Sequence, residues 1–105
     1  MSITNEHVYV MQLDQLPILI GKEVHIKNES IALFRLSNGE VRAIGSRCPH
    51  TNGPLAEGIV SGEFVYCPLQ DWKVSLVTGH VQPPDEGAVP TYDVILKNGE
   101  IYVSL

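Results

Sequence analysis

The chain has 105 residues, enough for one domain with its own hydrophobic core but too few for two ordinary domains. Seven Lys and Arg side chains stand against twelve Asp and Glu, so the net charge is −5 with neutral histidines, which argues against a nucleic-acid-binding protein. No apolar run approaches the roughly 18 residues that span a bilayer, and the first residues lack the features of a signal peptide. We therefore expect a cytoplasmic protein with no membrane contact.

The composition predicts an all-β protein. Val and Ile together number 21 while Ala numbers 4, an imbalance that favours strands over helices. Gly and Pro are spaced so closely that the longest stretch free of both between Gly39 and Pro90, residues 69–78, is too short for an average capped helix. In chain order, we predict strands at 7–11, 22–27, 30–37, 41–44, 63–66, 71–76, 91–97 and 100–103.

The turn signals predict antiparallel pairing. Asn38-Gly39 and Asn98-Gly99 each separate two predicted strands, and Asn-Gly favours the left-handed backbone of a two-residue hairpin turn. Residues 14–20 are predicted to hold one helical turn capped by Asp14, which Pro17 keeps short.

Two Cys-Pro steps mark the part of the chain that carries chemistry. Cys48-Pro49-His50 and Cys67-Pro68-Leu69-Gln70 each follow an apolar run and are expected to form hairpin tips. Two cysteines in a reducing compartment are more often metal ligands or reactive thiols than a disulfide, and proline stiffens loops that present ligands.

Several less specific interpretations stay open for these residues. Each cysteine taken alone is commonly a small buried hydrophobe, with His50 an ordinary loop residue. Cys48, His50, Cys67 and a water could also form a zinc site. Trp72 and Tyr66 alternate with apolar neighbours and are expected to pack in the core.

The cysteine region resembles a known family motif. Cys48-x-His50, sixteen intervening residues and Cys67-x-x are similar to the Rieske 2Fe-2S motif C-x-H-x(15–17)-C-x-x-H, except that the fourth position is Gln70 instead of His. The short segments around Gly53-Pro54-Leu55 and Asp71-Trp72 also resemble that family. Over nearly the whole chain, the sequence is most similar to the small subunit of assimilatory NAD(P)H nitrite reductase, a Rieske-like branch in which the cluster ligands are not always kept.

The resemblance implies a fold and a cofactor. The fold would be a single Rieske-like domain over 1–105, built of antiparallel sheets with an inserted cluster-binding subdomain at about 43–76. The cofactor would be a 2Fe-2S cluster at the positions of Cys48, His50, Cys67 and Gln70, with Cys48, His50 and Cys67 as metal ligands. A carboxamide is a poor ligand for iron in a sulfide-bridged pair, so Gln70 implies a labile or absent cluster. We do not expect His7, His25 or His80 to replace the missing imidazole.

The resemblance also implies a function. The chain would be an electron-relay or assembly subunit, not catalytic alone, of a cytoplasmic reductase that converts nitrite to ammonia. Siroheme, 4Fe-4S, FAD and the NAD(P)H site would belong to the large subunit, which would dock at the loops 48–54 and 67–71 through a basic patch. Two alternatives are a Rieske-type ferredoxin that serves a ring-hydroxylating dioxygenase and a docking module without a cluster.

Overall fold

The computed structural model describes residues 7–48, 53–68, 72–83 and 85–104, and this part of the chain is all-β, as predicted. The described ranges contain two 3-10 turns, at Leu13–Gln15 and Leu55–Glu57. The strands are β1 His7–Gln12, β2 Lys22–Ile26, β3 Glu29–Arg35, β4 Val41–Gly45, β5 Ile59–Ser61, β6 Phe64–Tyr66, β7 Lys73–Ser75, β8 Thr91–Tyr92, β9 Val94–Lys97 and β10 Glu100–Ser104.

The strands form three antiparallel sheets. The basal sheet has the order β1-β10-β9, the central sheet the order β2-β3-β4-β8, and the small sheet the order β5-β6-β7. β1 and β10 pair the beginning and the end of the described chain, with a bulge between Tyr9 and Met11. The basal sheet is therefore assembled from the two ends, while the small sheet comes from one continuous stretch.

β3 is buried on both of its faces. Its central residues read Ile-Ala-Leu-Phe, and successive strand residues point to opposite sides. Ile31 and Leu33 join one hydrophobic cluster, and Ala32 and Phe34 join the other. A strand buried on both sides reads as a continuous apolar run, which explains the sequence at this point.

The central sheet thus separates two cores. The basal core consists of seven buried aliphatic residues: Leu16, Ile31, Leu33, Val41, Ala43, Ile101 and Val103. The cysteine core lies on the other side and contains both cysteines among its buried residues: Ala32, Phe34, Leu36, Ile44, Cys48, Leu55, Ala56, Val60, Val65, Cys67, Val74, Leu76, Val81 and Val89.

The hairpin turns confirm one prediction and correct another. Asn98 and Gly99 both have positive φ, 53° and 75°, and close the two-residue turn between Lys97 and Glu100. The two-residue turn predicted at Asn38-Gly39 is wrong, because only Gly39 has a positive φ and the Leu36 N–H donates to the Glu40 carbonyl, leaving three residues in the loop. A glycine at the end of a three-residue loop supplies its left-handed position.

Other differences from the expected strands are local. The strand predicted at 91–97 is divided at Asp93 into β8 and β9, which belong to different sheets. β5 was not predicted. The helical turn expected at 14–20 is limited to Leu13–Gln15, and Asp14 lies inside it instead of capping it, because the N-cap position is Gln12. The cluster-binding subdomain at 43–76 stays a prediction. Within the described ranges, no helix is long and apolar enough to cross a membrane.

Candidate metal centre

The first cysteine lies at the base of a loop that follows β4. The Ser46 N–H donates to the Ser30 carbonyl at 3.1 Å, and Arg47 forms an isolated antiparallel bridge with Pro54. The Cys48 N–H then donates to the carbonyl of Gly53 at 2.9 Å. Cys48 is therefore held by backbone pairing to the central sheet and to the returning arm of its own loop.

The second cysteine occupies the same position in another hairpin. Tyr66 and Lys73 form the last residue pair of β6 and β7, and the Cys67 N–H donates to the Trp72 carbonyl at 2.8 Å. Each cysteine thus donates its amide to the carbonyl five residues later. Both cysteines are placed at the first position of a backbone-closed loop. The predicted hairpin tips themselves, residues 49–52 and 69–71, lie outside the described residues.

The two thiols share one apolar environment. Cys48 is 2% exposed and Cys67 is fully buried, and both belong to the cysteine core. Both are reduced cysteines. Apolar neighbours such as Val65 and Leu55 shield this side of the loops from water, so a group bound by both thiols would have a dry inner side.

Gly58 brings the small sheet close to the second loop. A Cβ atom at this position would overlap the carbonyl oxygen of Tyr66 and a methyl group of Val65. Because Tyr66 directly precedes Cys67, any side chain at position 58 would displace the strand that carries the second thiol. Gly58 is therefore needed for close approach, and its backbone is extended, with φ −79°.

Polar groups surround the base of the first loop. Glu23 Oε2 lies 3.4 Å from Arg47 Nη2 and 3.4 Å from His25 Nε2, and the other His25 ring nitrogen lies 2.9 Å from Ser30 Oγ. This chain of contacts ties β2 to the residue that precedes Cys48. These contacts were not predicted, since Glu23 and Arg47 are 24 positions apart.

Two tyrosines outside these loops have raised pKa values. Burial, followed by a 2.7 Å hydrogen bond to Glu29, raises the pKa of Tyr92 from 10.0 to about 12. A hydrogen bond to Glu100 raises the pKa of Tyr102. Both phenols are therefore neutral donors to carboxylates at ordinary pH.

The structure places both cysteines in the cysteine core, and the predicted ligand set stays a prediction. His50 and Gln70 lie outside the described residues and stay predictions. Among the described residues, no group of three His, Cys, Asp or Glu side chains is placed to hold a metal ion. His80 is exposed and lies on the chain that returns beside β7, in an isolated bridge with Ala88.

The aromatic residues near the second loop occupy different positions. Trp72 is partly buried against the cysteine core, in agreement with the expectation. Tyr66 was expected in the core but lies on the opposite face of β6 from fully buried Val65. The prediction for Tyr66 was wrong because alternation places only one of two adjacent residues inside.

The residues fit one half of a 2Fe-2S site. By type, two buried thiols are the donors that one iron of a Rieske cluster would take. The Ser46 side-chain oxygen is buried without a hydrogen-bond partner in the described part of the chain, two positions before Cys48. The second iron of a Rieske cluster takes imidazole ligands. His50 is a suitable donor by type, whereas the carboxamide of Gln70 is not.

Known proteins resemble this chain in sequence and in fold. A family model described as a Rieske-like [2Fe-2S] domain matches residues 6–104. A 3-phenylpropionate/cinnamic acid dioxygenase ferredoxin subunit from Photorhabdus laumondii is 32% identical over 100 residues, which cover 93% of each chain. The chain spans only about a fifth of two other curated relatives, a 4beta-methylsterol monooxygenase from Methylococcus capsulatus (20%) and a cholesterol 7-desaturase from Ciona intestinalis (18%).

Solved structures match over almost the whole chain. A structure described as an NADH-dependent nitrite reductase small subunit from Mycobacterium tuberculosis has a TM-score of 0.90 and 25% identity, and the match covers 98% of this chain and 97% of that one. A ferredoxin of carbazole 1,9a-dioxygenase from Nocardioides aromaticivorans has a TM-score of 0.85 and 28% identity, with 92% and 95% coverage.

Proposed function

Because the chain belongs to the family of Rieske-like [2Fe-2S] domains, we propose that it is the small subunit of an NAD(P)H-dependent assimilatory nitrite reductase. The observation that carries this proposal is the match to a nitrite reductase small subunit with a TM-score of 0.90 over nearly the full length of both chains. In this proposal the protein is cytoplasmic and acts in electron relay or assembly. Siroheme, 4Fe-4S, FAD and the NAD(P)H site are assigned to the large subunit.

The proposed ligands are of two kinds, thiolate and imidazole, one kind for each iron. Cys48 and Cys67 would hold one iron as thiolates, and His50 would hold the other as a neutral imidazole. When bound, a cluster of this type supplies one-electron transfer at a potential that imidazole ligation raises. The backbone-closed loops hold the thiols in place, and the apolar core keeps water from them. Gln70 supplies no imidazole, so we expect the chain to hold its iron weakly.

A second candidate function is a Rieske-type ferredoxin that delivers electrons to a ring-hydroxylating dioxygenase. The observation that favours it is the 32% identity to a dioxygenase ferredoxin subunit over 93% of both chains. This function requires a stable cluster, which Gln70 disfavours. A third candidate, a docking module without a cluster, would use the same fold with no metal at all.

One set of measurements separates the three functions. The chain is purified without oxygen, analysed for iron and acid-labile sulfide, and combined with a nitrite reductase large subunit from the same organism. We expect fewer than two irons per chain, no nitrite reduction by the chain alone, and faster nitrite reduction when both subunits are present. Full activity of the large subunit alone, without binding of this chain, would overturn the subunit proposal. A stable two-iron chain that reduces a dioxygenase would establish the ferredoxin instead.

A further inference from the structure

The small sheet has one face in the core and one face directed away from it. Val60, Val65 and Val74 are aligned across the three strands by the β5-β6-β7 register, and all three are buried. The neighbouring residues of each strand therefore lie on the opposite face. We call the accessible part of this opposite face the outer face of the small sheet and define it by Ile59, Ser61, Phe64, Tyr66 and Lys73. Ser75 lies on the same side, paired with Phe64, but is buried.

The outer face combines apolar area with unusual exposure. Ile59 is 74% exposed, more than any other large hydrophobic residue in the described part of the chain. It pairs directly with Tyr66, which in turn pairs with Lys73, so these side chains form a row across the sheet. A single exposed apolar residue needs no explanation. Ile59, however, lies beside the partly buried rings of Tyr66 and Phe64, and the three side chains form an apolar patch.

The Lys73 ammonium contacts an aromatic ring of this face but no described carboxylate. Lys73 Nζ lies 4.3 Å from the centroid of the Phe64 ring, and no described carboxylate forms an ion pair with it. The Tyr66 hydroxyl has no hydrogen-bond partner within the described ranges. A surface that complements this face must therefore offer an apolar side chain together with a carboxylate.

The position of the row connects it to the proposed metal centre. Tyr66 and Lys73 form the residue pair that directly precedes the loop closed by Cys67 and Trp72. A partner seated on the row would lie against the base of that loop. Tyr and exposed aliphatic side chains are typical anchors of protein interfaces, whereas lysine is usually depleted from them unless it is paired.

We propose that the outer face of the small sheet is a docking surface for the reductase large subunit, which presents an apolar side chain to Ile59 and a carboxylate to Lys73. The inference rests on the proposed function and adds to it a specific contact beside the cysteine loops. The net negative charge of the chain favours long-range attraction to a basic surface of the partner. At short range, this contact has the reverse polarity: the positive charge is Lys73 of this chain, and the negative charge is a carboxylate of the partner.

The test measures binding of the purified large subunit to variants of the full chain by calorimetry. We expect Ile59→Ser and Lys73→Glu each to weaken binding by about tenfold or more, a loss typical of an interface anchor. Leu96→Ser and Lys97→Glu are matched controls on β9 of the basal sheet, where Leu96 is 44% exposed, and should bind within about twofold of wild type. Ile59→Thr keeps a β-branched strand residue and serves if Ile59→Ser does not fold.

The outcomes separate this inference from the function on which it rests. If the wild-type chain binds and the Ile59 and Lys73 variants bind equally well, the docking surface is wrong and the subunit function stands. If the wild-type chain does not bind the large subunit at any salt concentration, both the function and the docking surface are overturned. Equal weakening by the β9 controls would also overturn the assignment of this face.

Discussion

The basal core is wholly aliphatic, whereas the cysteine core on the other side of the central sheet contains both thiols. The basal core is formed by long strands that pair over five or six residues, including the two ends of the described chain. The cysteine core is covered by a sheet of three-residue strands and by two loops. Both cores therefore contribute packing, but the candidate ligands lie only in the cysteine core, and β3 joins the two.

The largest expected effect comes from the basal core. Leu33→Ala should lower the free energy of unfolding by about 2 to 5 kcal/mol, since Leu33 is fully buried and its removal leaves a cavity. Because β3 serves both cores, both regions should unfold in one transition. Trp72, the only tryptophan, packs against the cysteine core, so its fluorescence in urea can be compared with far-UV circular dichroism. Separate midpoints would show that the two cores are independent; Leu96→Ala is the surface control.

A smaller effect should be confined to the cysteine core. Gly58→Ala should cost about 1 to 3 kcal/mol, the usual range for overpacking, because the added methyl group collides with the Tyr66 carbonyl. Hydrogen exchange should increase in β5, β6 and β7 but not in β10. Gly62→Ala is the matched control, since no atom lies within 4 Å of its Cβ position and only the positive φ of 60° opposes it. Uniformly faster exchange in all sheets would contradict the division.

The metal-binding side can be strengthened without touching the basal core. Gln70→His should increase iron retention severalfold after anaerobic reconstitution, because it supplies the imidazole that the Rieske pattern has at this position. Cys67→Ser should decrease iron retention, and Gln70→Asn should resemble wild type. Iron and sulfide are measured per chain, together with the paramagnetic signal after reduction. Equal retention in wild type and Gln70→His would mean that the loops do not converge on a metal site.

The smallest effect concerns a hydrogen bond at the edge of the basal core. Tyr92→Phe should cost about 0.5 to 1.5 kcal/mol at neutral pH, through loss of the bond to Glu29. The raised pKa of Tyr92 keeps the folded phenol protonated above pH 10, where the unfolded phenol ionises, so this contribution is present below pH 10 and is lost as the pH rises toward 12. Melting temperatures from pH 9 to 12 should fall less steeply for the variant. If the melting temperatures of wild type and variant fall equally steeply with pH, the raised pKa of Tyr92 is contradicted. Tyr102→Phe tests the raised pKa of Tyr102 in the same way.

Local chemistry made most of the fold predictable. Runs of β-branched residues located β1 to β4 and β10 to within two residues, and Asn98-Gly99 located a two-residue turn. The turn at Lys27-Asn28, where φ is 50° and 66°, was missed because lysine gives no signal for a left-handed backbone. β5 was missed because three residues between Gly58 and Gly62 become a strand only by pairing with β6.

The candidate site was predictable only in part. The two Cys-Pro steps and their spacing indicated paired loops, and both thiols lie in one core. The position of Tyr66 on the outer face depends on the register between β5, β6 and β7, which is set by contacts that the sequence does not display. The same is true of the ion pair between Glu23 and Arg47, since its partners belong to different hairpins.

The burial of β3 on both faces has a consequence for mutational tolerance. Most surface-facing strands have one side on which polar and apolar residues can be exchanged freely, but Ile31, Ala32, Leu33 and Phe34 are each fully buried. In a library of all single substitutions, this segment should accept fewer changes than either cysteine loop. This sensitivity would come from packing against both cores. The stretch of the chain that is most sensitive to mutation should therefore contain no proposed ligand.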